Sequence, residues 1–542
     1  MGKIYESFLM QHPTDLYIKG FHHHHNHQQK LRHTQFETEK NHHHHHSHQK
    51  SSPSIVPRLI NLDENEVAYR AEGNANIVLS LPRMRKVLRI RKSLINFQSE
   101  FDNDDPSIDQ TASYEELIHS IAYTKYMSSL IGYSFTCQPK FIYLKVTDLN
   151  LLNEDMLEFR PVDRLAKEVR TRIATLYPDV AFLQDNLNPH KRLQKTDPFY
   201  DTYCVEIKPK QGWTFYDEDP DDDLQSNPEL LFEFDDVKKC RYCSFQYLKL
   251  KKSTIKKVSK YCPLDLFSGQ TIRMLRAIKG LIGSPQNNLR IFRNGDLIYG
   301  DTIEKRNLNK SLEDLFFNYK TNDERKTVFM NLIKEVLLKD FTRDCDIRSN
   351  KEAIKLRKDR KKNKNTIHRR NCEPIKYKYL PENCALKKIF DVQLLAKRSI
   401  TKLDPKDFPD LPHDRYSYIN TLLEKSRQNC VMSSFMENGG QICIKHQSVK
   451  DCTQHLSDFE QYMLGATALD TSLMITFCRV SHEDIFRMNP VARNHIIQLN
   501  GMMFVAKVTI MDLDPKSTSH YEKYIKQIND SHVAYKDFLK RF

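Results

Sequence analysis

The chain has 542 residues, 39% of them hydrophobic, enough for one large two-lobed core or two to three domains and too apolar for a wholly disordered protein. A net charge of +14 selects anionic partners but does not distinguish nucleic acid, an anionic membrane surface or a polyphosphorylated metabolite. Twelve cysteines without regular spacing argue against a secreted disulfide framework. The apolar runs are far too short to cross a bilayer, and no secretory leader pattern opens the chain. The expectation is a soluble, monomeric, intracellular protein, in the cytoplasm, the nucleus or both.

Within residues 1–60, the stretch from His22 to His48 holds twelve of the 23 histidines, among Asn, Gln and Lys. Such a composition buries too little apolar surface to offset ordering entropy, so a disordered tail is expected, able at most to bind metal loosely. Ordered sequence resumes near Asn61. Glu66–Ala71, Ile77–Leu81 and Lys86–Ile90 read as short strands, the first two joined by a Gly-Asn-Ala-Asn turn. In kinases this order lays a backbone turn over nucleotide phosphates and sends a cation to meet them, which points to Gly73 and Arg89. A plain β-turn is the alternative. Helical patterns follow at Tyr114–Ile131 and Asp163–Leu176, and Val180–Asn186 crosses toward the next strand.

That strand, YCVEIKPK at 203–210, alternates β-formers until Pro209 stops it. A two-residue period puts Glu206, Lys208 and Lys210 on one face, with Glu206 able to hold one lysine. Two ammonium groups on a rigid element suit a polyanion. A basic amphipathic helix is expected over Lys238–Leu250, another over Leu264–Leu281, and a helical pair over 309–342. Residues 351–370 carry ten Lys or Arg against two acids and read as a solvated insertion, within 345–372, with a nuclear-localisation or RNA-binding patch as the alternative. The chain returns to strands at Ser472–Phe477 and Phe504–Met511. Asp470 precedes the first and Asp512 ends the second, the order in which kinases place a base and a metal ligand.

Six blocks, taken together, resemble the inositol-pentakisphosphate 2-kinase family. They are YRAEGNAN at 69–76 with VLRIR at 87–91, the EIKPK signature at 206–210, YCPLDLFSG at 261–269, QNNLRIFRNG at 286–295, ATALDTSLMIT at 466–476 and MDLDPK at 511–516. The resemblance implies an α+β, bilobal kinase-like fold. A small β-rich, nucleotide-binding N-lobe would cover 61–187, and a larger C-lobe with inserted helical elements would cover 188–542. It also implies ATP- and Mg²⁺-dependent phosphorylation of the 2-hydroxyl of inositol 1,3,4,5,6-pentakisphosphate. Gly73, Asn74, Asn76, Arg89, Gln184, Asp185, Asn186 and Arg290 would hold the nucleotide. Arg164, Lys208, Lys210, Lys249, Asn287, Asn288, Lys516 and Tyr524 would hold the inositol phosphate. Asp470 would take the acceptor proton, Lys208 would bridge donor and acceptor, and Asp512, with Asp514, would hold Mg²⁺.

Three departures stand against that pattern. Phe245 replaces a histidine that touches substrate, leaving a contact to Lys251 or Lys252. His520 falls where plant members carry arginine, implying a weaker, pH-dependent contact. The plant-like zinc site has no counterpart, and Cys240-x-x-Cys243 lacks a second pair at matching spacing, so no zinc is expected. The alternatives are a non-catalytic inositol-phosphate-binding protein and a basic RNA-associated protein.

Overall fold

A computed structural model describes residues 58–94, 107–187, 198–215, 239–301, 305–341, 372, 379–403, 416–428 and 448–541. The tail expected at 1–60 and the basic run 351–370 lie almost wholly outside these. The architecture is α+β, divided into two compact units. One holds the chain up to Ile118 and Pro139–Asp179; the other holds His119–Gln138 and everything from Val180 onward.

The first unit is built on a sheet of β1 (Arg58–Asn61), β2 (Ala68–Glu72), β3 (Asn76–Leu81), β4 (Lys86–Leu94), β5 (Lys140–Lys145), β6 (Lys167–Val169) and β7 (Ile173–Pro178). Its order is β1-β5-β7-β4-β3-β2, with β6 paired to β4; only β1 and β5 run parallel. Ile77, Leu79 and Leu81 of β3 point into the core at the period of a strand, against Leu88, Ile90, Ile142 and Leu176. Helices α1 (Ser107–Ile131) and α2 (Leu149–Met156) lie between β4 and β6 in the chain.

The helix expected over Asp163–Leu176 is instead β6 and β7 behind a short 3₁₀ turn at Val162–Arg164. Val169, Thr171, Ile173 and Thr175 are β-branched at alternate positions, a pattern that favours a pleated surface over a helix. Asn153 of α2 completes the substitution. Its amide donates to the carbonyl of Val169 at 2.8 Å and accepts from that residue's N–H at 2.9 Å, as a neighbouring strand would.

The second unit carries an antiparallel sheet of β8 (Thr202–Ile207), β9 (Leu289–Arg293), β10 (Asp296–Tyr299), β11 (Ser472–Val480), β12 (Ile496–Leu499) and β13 (Met502–Met511), in the order β10-β9-β8-β11-β13-β12. Its helices are α3 (Arg241–Lys251), α4 (Pro263–Leu266), α5 (Thr271–Gly283), α6 (Lys305–Leu315), α7 (Asn322–Leu338), α8 (Ala385–Ile400), α9 (Tyr418–Gln428), α10 (Val449–Thr453), α11 (Asp458–Ala468), α12 (His482–Arg487), α13 (Pro490–Arg493) and α14 (His520–Leu539). The single helix expected over 264–281 is thus two, parted at Gly269. Its φ of 66° is left-handed, and a Cβ there would lie 2.3 Å from the carbonyl oxygen of Tyr379.

Register decides where the chemistry sits. Leu473 pairs with Ile207 of β8, and Ser472 pairs with Met511 of β13. The start of β11 therefore lies between the ends of two antiparallel neighbours. The residues just past those ends, Lys208–Lys210 and Asp512, meet Asp470 at one end of the sheet.

Candidate active site

Asp470 lies between two ammonium groups, Lys210 Nζ at 3.0 Å and Lys516 Nζ at 2.9 Å, one on each carboxylate oxygen. Protein packs round it on most sides, yet 49% of the side chain stays open to solvent, the situation of a group at the floor of a concavity. Burial opposes its charge, but Lys516 and Lys210 outweigh burial and hold the carboxyl well below the usual range. Beside it, Lys208 Nζ is 3.7 Å from Asp512 Oδ2, which also accepts from Ser472 Oγ at 2.7 Å.

The backbone here is shaped for the purpose. β8 ends at Ile207, and Lys210 takes a left-handed φ of 60°, so the two lysines do not share one strand face as a simple alternation predicts. Asp512 is left-handed too, at φ 63°. Gln393 of α8, fully buried, fixes the turn from within: its amide donates to the carbonyls of Lys210 and Ala468, both at 3.0 Å, and accepts from Gly212 N–H at 2.9 Å. Tyr261 donates to the carbonyl of Pro209 at 2.7 Å, and Lys208 N–H donates to the carbonyl of Asn288 at 3.0 Å. Glu206 holds neither lysine. It faces Arg290 across the β8–β9 pair, 3.5 Å from the guanidinium, because strand register puts a cation opposite it.

Further cations converge on Lys210. Burial lowers the proton affinity of Lys210 itself, and Lys208 and Arg241 add to that effect against Asp470. Burial and nearby Lys210 likewise lower that of Lys249 on α3. Arg241, unremarked in the sequence, lies over the Tyr524 ring at 4.3 Å. Lys249 Nζ stands 5.1 Å from the centre of the Phe245 ring, while Lys251 is engaged by Asp537 at 2.8 Å. The aromatic departure at Phe245 therefore lies against a cation already in the cluster.

Two of the expected ligands are buried. Tyr524 is 2% exposed and donates to Gln211 Oε1 at 2.6 Å, and Asn288 is 1% exposed and donates to Tyr242 at 3.0 Å; both brace the walls. Asn287 is exposed on the turn before β9. His520 packs on Tyr462, 3.0 Å from its hydroxyl, and burial, then Lys516 and Arg241, push its pKa down to about 3. In the free protein it is therefore neutral at physiological pH. Gln184 accepts from Lys507 Nζ at 2.8 Å, Asp185 and Asn186 are exposed beside it, and Asp514 and Lys516 follow Asp512.

Gly73, Asn74, Asn76, Arg89 and Arg164 belong to the first unit. Nothing lies within 4 Å of where a Cβ on Gly73 would stand, so that turn is open above. It is anchored from below by an ion triad that sequence reading missed. Glu72 receives Arg160 Nε at 2.9 Å and pairs with Lys92, all three closed to solvent just beneath the surface. Arg160 also donates to the carbonyls of Arg164 and Lys167, so the triad locks the 160–167 segment to the glycine turn. Two cations share one carboxylate. Burial opposes the charge of Glu72, but Arg160 and Lys92 hold its proton affinity down, whereas Lys92, buried next to Arg160, is itself pushed down.

Cys240 and Cys243 are not an isolated pair. Cys262 and Cys372 bring their sulfurs alongside, all four within 4.8 Å of one another. Spacing along the chain hid this, since the partners come one at a time from separate segments.

A sequence model of inositol-pentakisphosphate 2-kinases matches residues 69–529. The chain is similar to the inositol-pentakisphosphate 2-kinase of Drosophila melanogaster, 32% identical over 45% of this chain and 51% of that protein. It is 28% identical to the Danio rerio protein of the same name over 84% of this chain and 90% of the relative, and 25% identical to the Arabidopsis thaliana one over 86% and 92%. The fly match thus spans about half that relative's length, whereas the other two run nearly end to end. With the family match covering most of its length, this chain belongs to the inositol-pentakisphosphate 2-kinase family.

Proposed function

We propose that the protein transfers the γ-phosphoryl group of ATP to the 2-hydroxyl of inositol 1,3,4,5,6-pentakisphosphate, giving the hexakisphosphate, on a bilobal kinase-like frame. The observation that carries this reading is Asp470 held between Lys210 and Lys516 beside the Lys208–Asp512 pair. A carboxylate among cations suits an anionic acceptor whose hydroxyl must lose a proton. Lys208 stands where charge develops between donor and acceptor. Bound with the nucleotide, Mg²⁺ spreads charge over the transferring group, and Asp512, with Asp514, is the residue to hold it; the Asp512 carboxylate, aimed by Ser472, has the donor chemistry for that ion. Gln184, Asp185, Asn186 and Arg290 of the second unit serve the nucleotide. Lys249 and Arg241 on α3, with Asn287, serve the acceptor.

The lysine clamp implies an order of events. A pentakisphosphate carries on the order of eight or more negative charges, at roughly −1.5 to −2 per phosphate. On arrival it draws Lys210 and Lys516 away from Asp470. The carboxylate then loses two cationic partners and gains anionic neighbours, and both changes raise its proton affinity toward that of a working base. None of the nine cysteines among the described residues is paired in a disulfide, and no helix among those residues is long and apolar enough to cross a membrane. A cytoplasmic or nuclear place of action is part of the same proposal.

The deciding experiment incubates the purified full-length protein with ATP, Mg²⁺ and the pentakisphosphate and resolves the products by anion exchange. Hexakisphosphate is expected, and Asp470→Asn should bind the acceptor without turnover. Tight binding of pentakisphosphate by the native chain with no product would make it a receptor and overturn the reading.

A further inference from the structure

From Arg241 to Leu264 the chain holds seven Lys or Arg and no acid. Acidic residues number 70 in 542, so a stretch of 24 would ordinarily carry about three. A face that is merely solvated intersperses both signs; a single-sign field of this kind suits the attraction of an opposite charge. Arg241 and Lys249 belong to the candidate site. The other five cations leave α3 with its last residue and run along the loop 252–262 toward α4. Lys251 is engaged by Asp537 at 2.8 Å. Lys252, Lys256, Lys257 and Lys260 are exposed, and none of the four has an ion-pair partner among the described residues.

The loop is built into the wall of the site at both ends. Lys249, just before it, stands near enough to Lys210 for the two charges to oppose each other, and its carbonyl accepts the N–H and the hydroxyl of Thr254 at 3.0 and 3.1 Å. At the far end Tyr261 donates to the carbonyl of Pro209 at 2.7 Å. In between, the N–H of Ser259 donates to Gln246 Oε1 of α3 at 3.2 Å. The backbone of Lys260 lies so close to Gly280 of α5 that a Cβ there would stand 2.8 Å from its carbonyl carbon. Lys256 is five residues from Tyr261, so even a fully extended chain places the two within about 18 Å. The exposed lysines therefore stand at the border of the cluster formed by Lys210, Lys249 and Arg241.

We infer that Lys252, Lys256, Lys257 and Lys260 form an electrostatic approach for the acceptor, drawing inositol pentakisphosphate toward Lys249 and Lys210 before it is bound. The inference rests on the proposed substrate. Exposed, flexible ammonium groups do not fix the pose of a ligand; what they supply is field, and attraction grows with the product of the charges. A ligand with on the order of eight or more negative charges feels such a patch far more strongly than a singly charged one. The inner cations are already engaged, Lys210 and Lys516 by Asp470 and Lys208 by Asp512, and must be drawn off their carboxylates. The outer four have no such partner and meet the acceptor first. A nucleic acid suits a basic surface too, but single strands are held by stacking on aromatic rings, and residues 252–260 contain none.

The test changes Lys256, Lys257 and Lys260 together to Gln in the full-length chain and leaves Lys252, one turn past Lys249, in place. Association with pentakisphosphate is followed by stopped flow through Trp213, the chain's one tryptophan, three residues from Lys210, and by kcat/KM over a series of salt concentrations. The triple variant should associate on the order of tenfold more slowly at low ionic strength, with the dissociation rate, kcat and KM for ATP nearly unchanged. The difference should fade toward 1 M salt, where the Debye length is about 3 Å. Arginine at the three positions should restore the rate. The control changes Arg306, Lys310 and Lys320 to Gln, near the opposite end of the sheet, where Tyr203 donates to the carbonyl of Ser311 and Tyr319 accepts from Asn500 in the β12–β13 turn; association should there stay close to wild type. Equal slowing in both variants would overturn the inference, since net charge alone would account for it. So would a loss of affinity that lies wholly in faster dissociation, which would make the lysines standing contacts. Weakened binding of a homopolymeric RNA with pentakisphosphate rates unmoved would give the loop to nucleic acid instead. Binding without product in the native chain would overturn the proposed reaction alone, because association rates still decide the approach; no binding at all would overturn both.

Discussion

Lys210 sits in left-handed backbone geometry, which costs a residue with a Cβ roughly 1–2 kcal/mol, and Gln393 holds it there through its carbonyl. Such a cost at a lysine paired to a carboxylate points to a group aimed for binding. Lys208, by contrast, leaves the strand with its N–H still bonded to the next strand's approach and its charge beside Asp512. The two should divide the work. Lys210→Ala should chiefly raise KM for pentakisphosphate, by about ten- to a hundred-fold for one charged hydrogen bond of about 1.5–3 kcal/mol, whereas Lys208→Ala should chiefly lower kcat. Steady-state kinetics with each substrate varied in turn separate them; an equal rise in KM with kcat untouched would make the pair a uniform anion clamp. Asp470 offers a second test. Its carboxyl should titrate well below the ordinary aspartate range in the free protein and rise when pentakisphosphate is added, as read by carbon-13 NMR of labelled aspartate with Asp470→Asn for assignment. A value unmoved by ligand would mean that the lysines never leave it. At this scale sequence reading reached the residues that abut strand ends, Lys208, Lys210, Asp470 and Asp512, because their positions follow from short-range pattern. It missed Gln393 and Arg241, whose roles depend on helices brought in from far along the chain.

The elements show what a period-based reading catches and what it does not. β3, β4, β8, β11 and β13 were legible because alternation persists over five or more residues. β6 and β7 were not, because β6 is only three residues long and one of its partners is a side chain, Asn153. The same limit hid the Glu72 triad: three polar residues far apart in sequence leave no periodic trace. Its energetic weight can be measured. Glu72→Gln leaves Arg160 and Lys92 buried without a counter-charge, which should destabilise the first unit by about 3 kcal/mol, toward the lower end for a buried ion pair because the triad lies just under the surface. The pH dependence has a definite sign. The folded carboxyl of Glu72 binds its proton less readily than the unfolded one, so its contribution is complete above the ordinary glutamate value and lost as pH falls through the lower folded value. The gap in thermal stability between wild type and Glu72→Gln should therefore hold steady from pH 8 down to about pH 5 and close at more acidic pH. A gap already closing near neutrality would mean that the triad is not what holds the glycine turn. Gly465 makes a comparable point for helices: a Cβ there would lie 2.3 Å from Ala396 N, so α8 and α11 touch backbone to backbone, a closeness no hydrophobic period announces.

Across the whole molecule, two segments stand out by composition: the histidine-rich tail and the basic run at 351–370. The family blocks lie outside both, and so do all the residues placed at the candidate site. The sequence leaves the basic run open as a nucleic-acid patch, and chemistry alone does not require it. Replacing 351–370 by a Gly/Ser stretch of equal length removes ten cations while keeping the chain's reach. If the run serves another purpose, turnover of pentakisphosphate should stay within a few-fold of wild type, with and without residues 1–57. Initial rates on both variants check this, with circular dichroism and thermal melting to show that each is folded. A loss of activity in a folded replacement would place the basic run at the acceptor's phosphates, beside the cations of the candidate site, and would mean that its ten charges serve the chemistry after all.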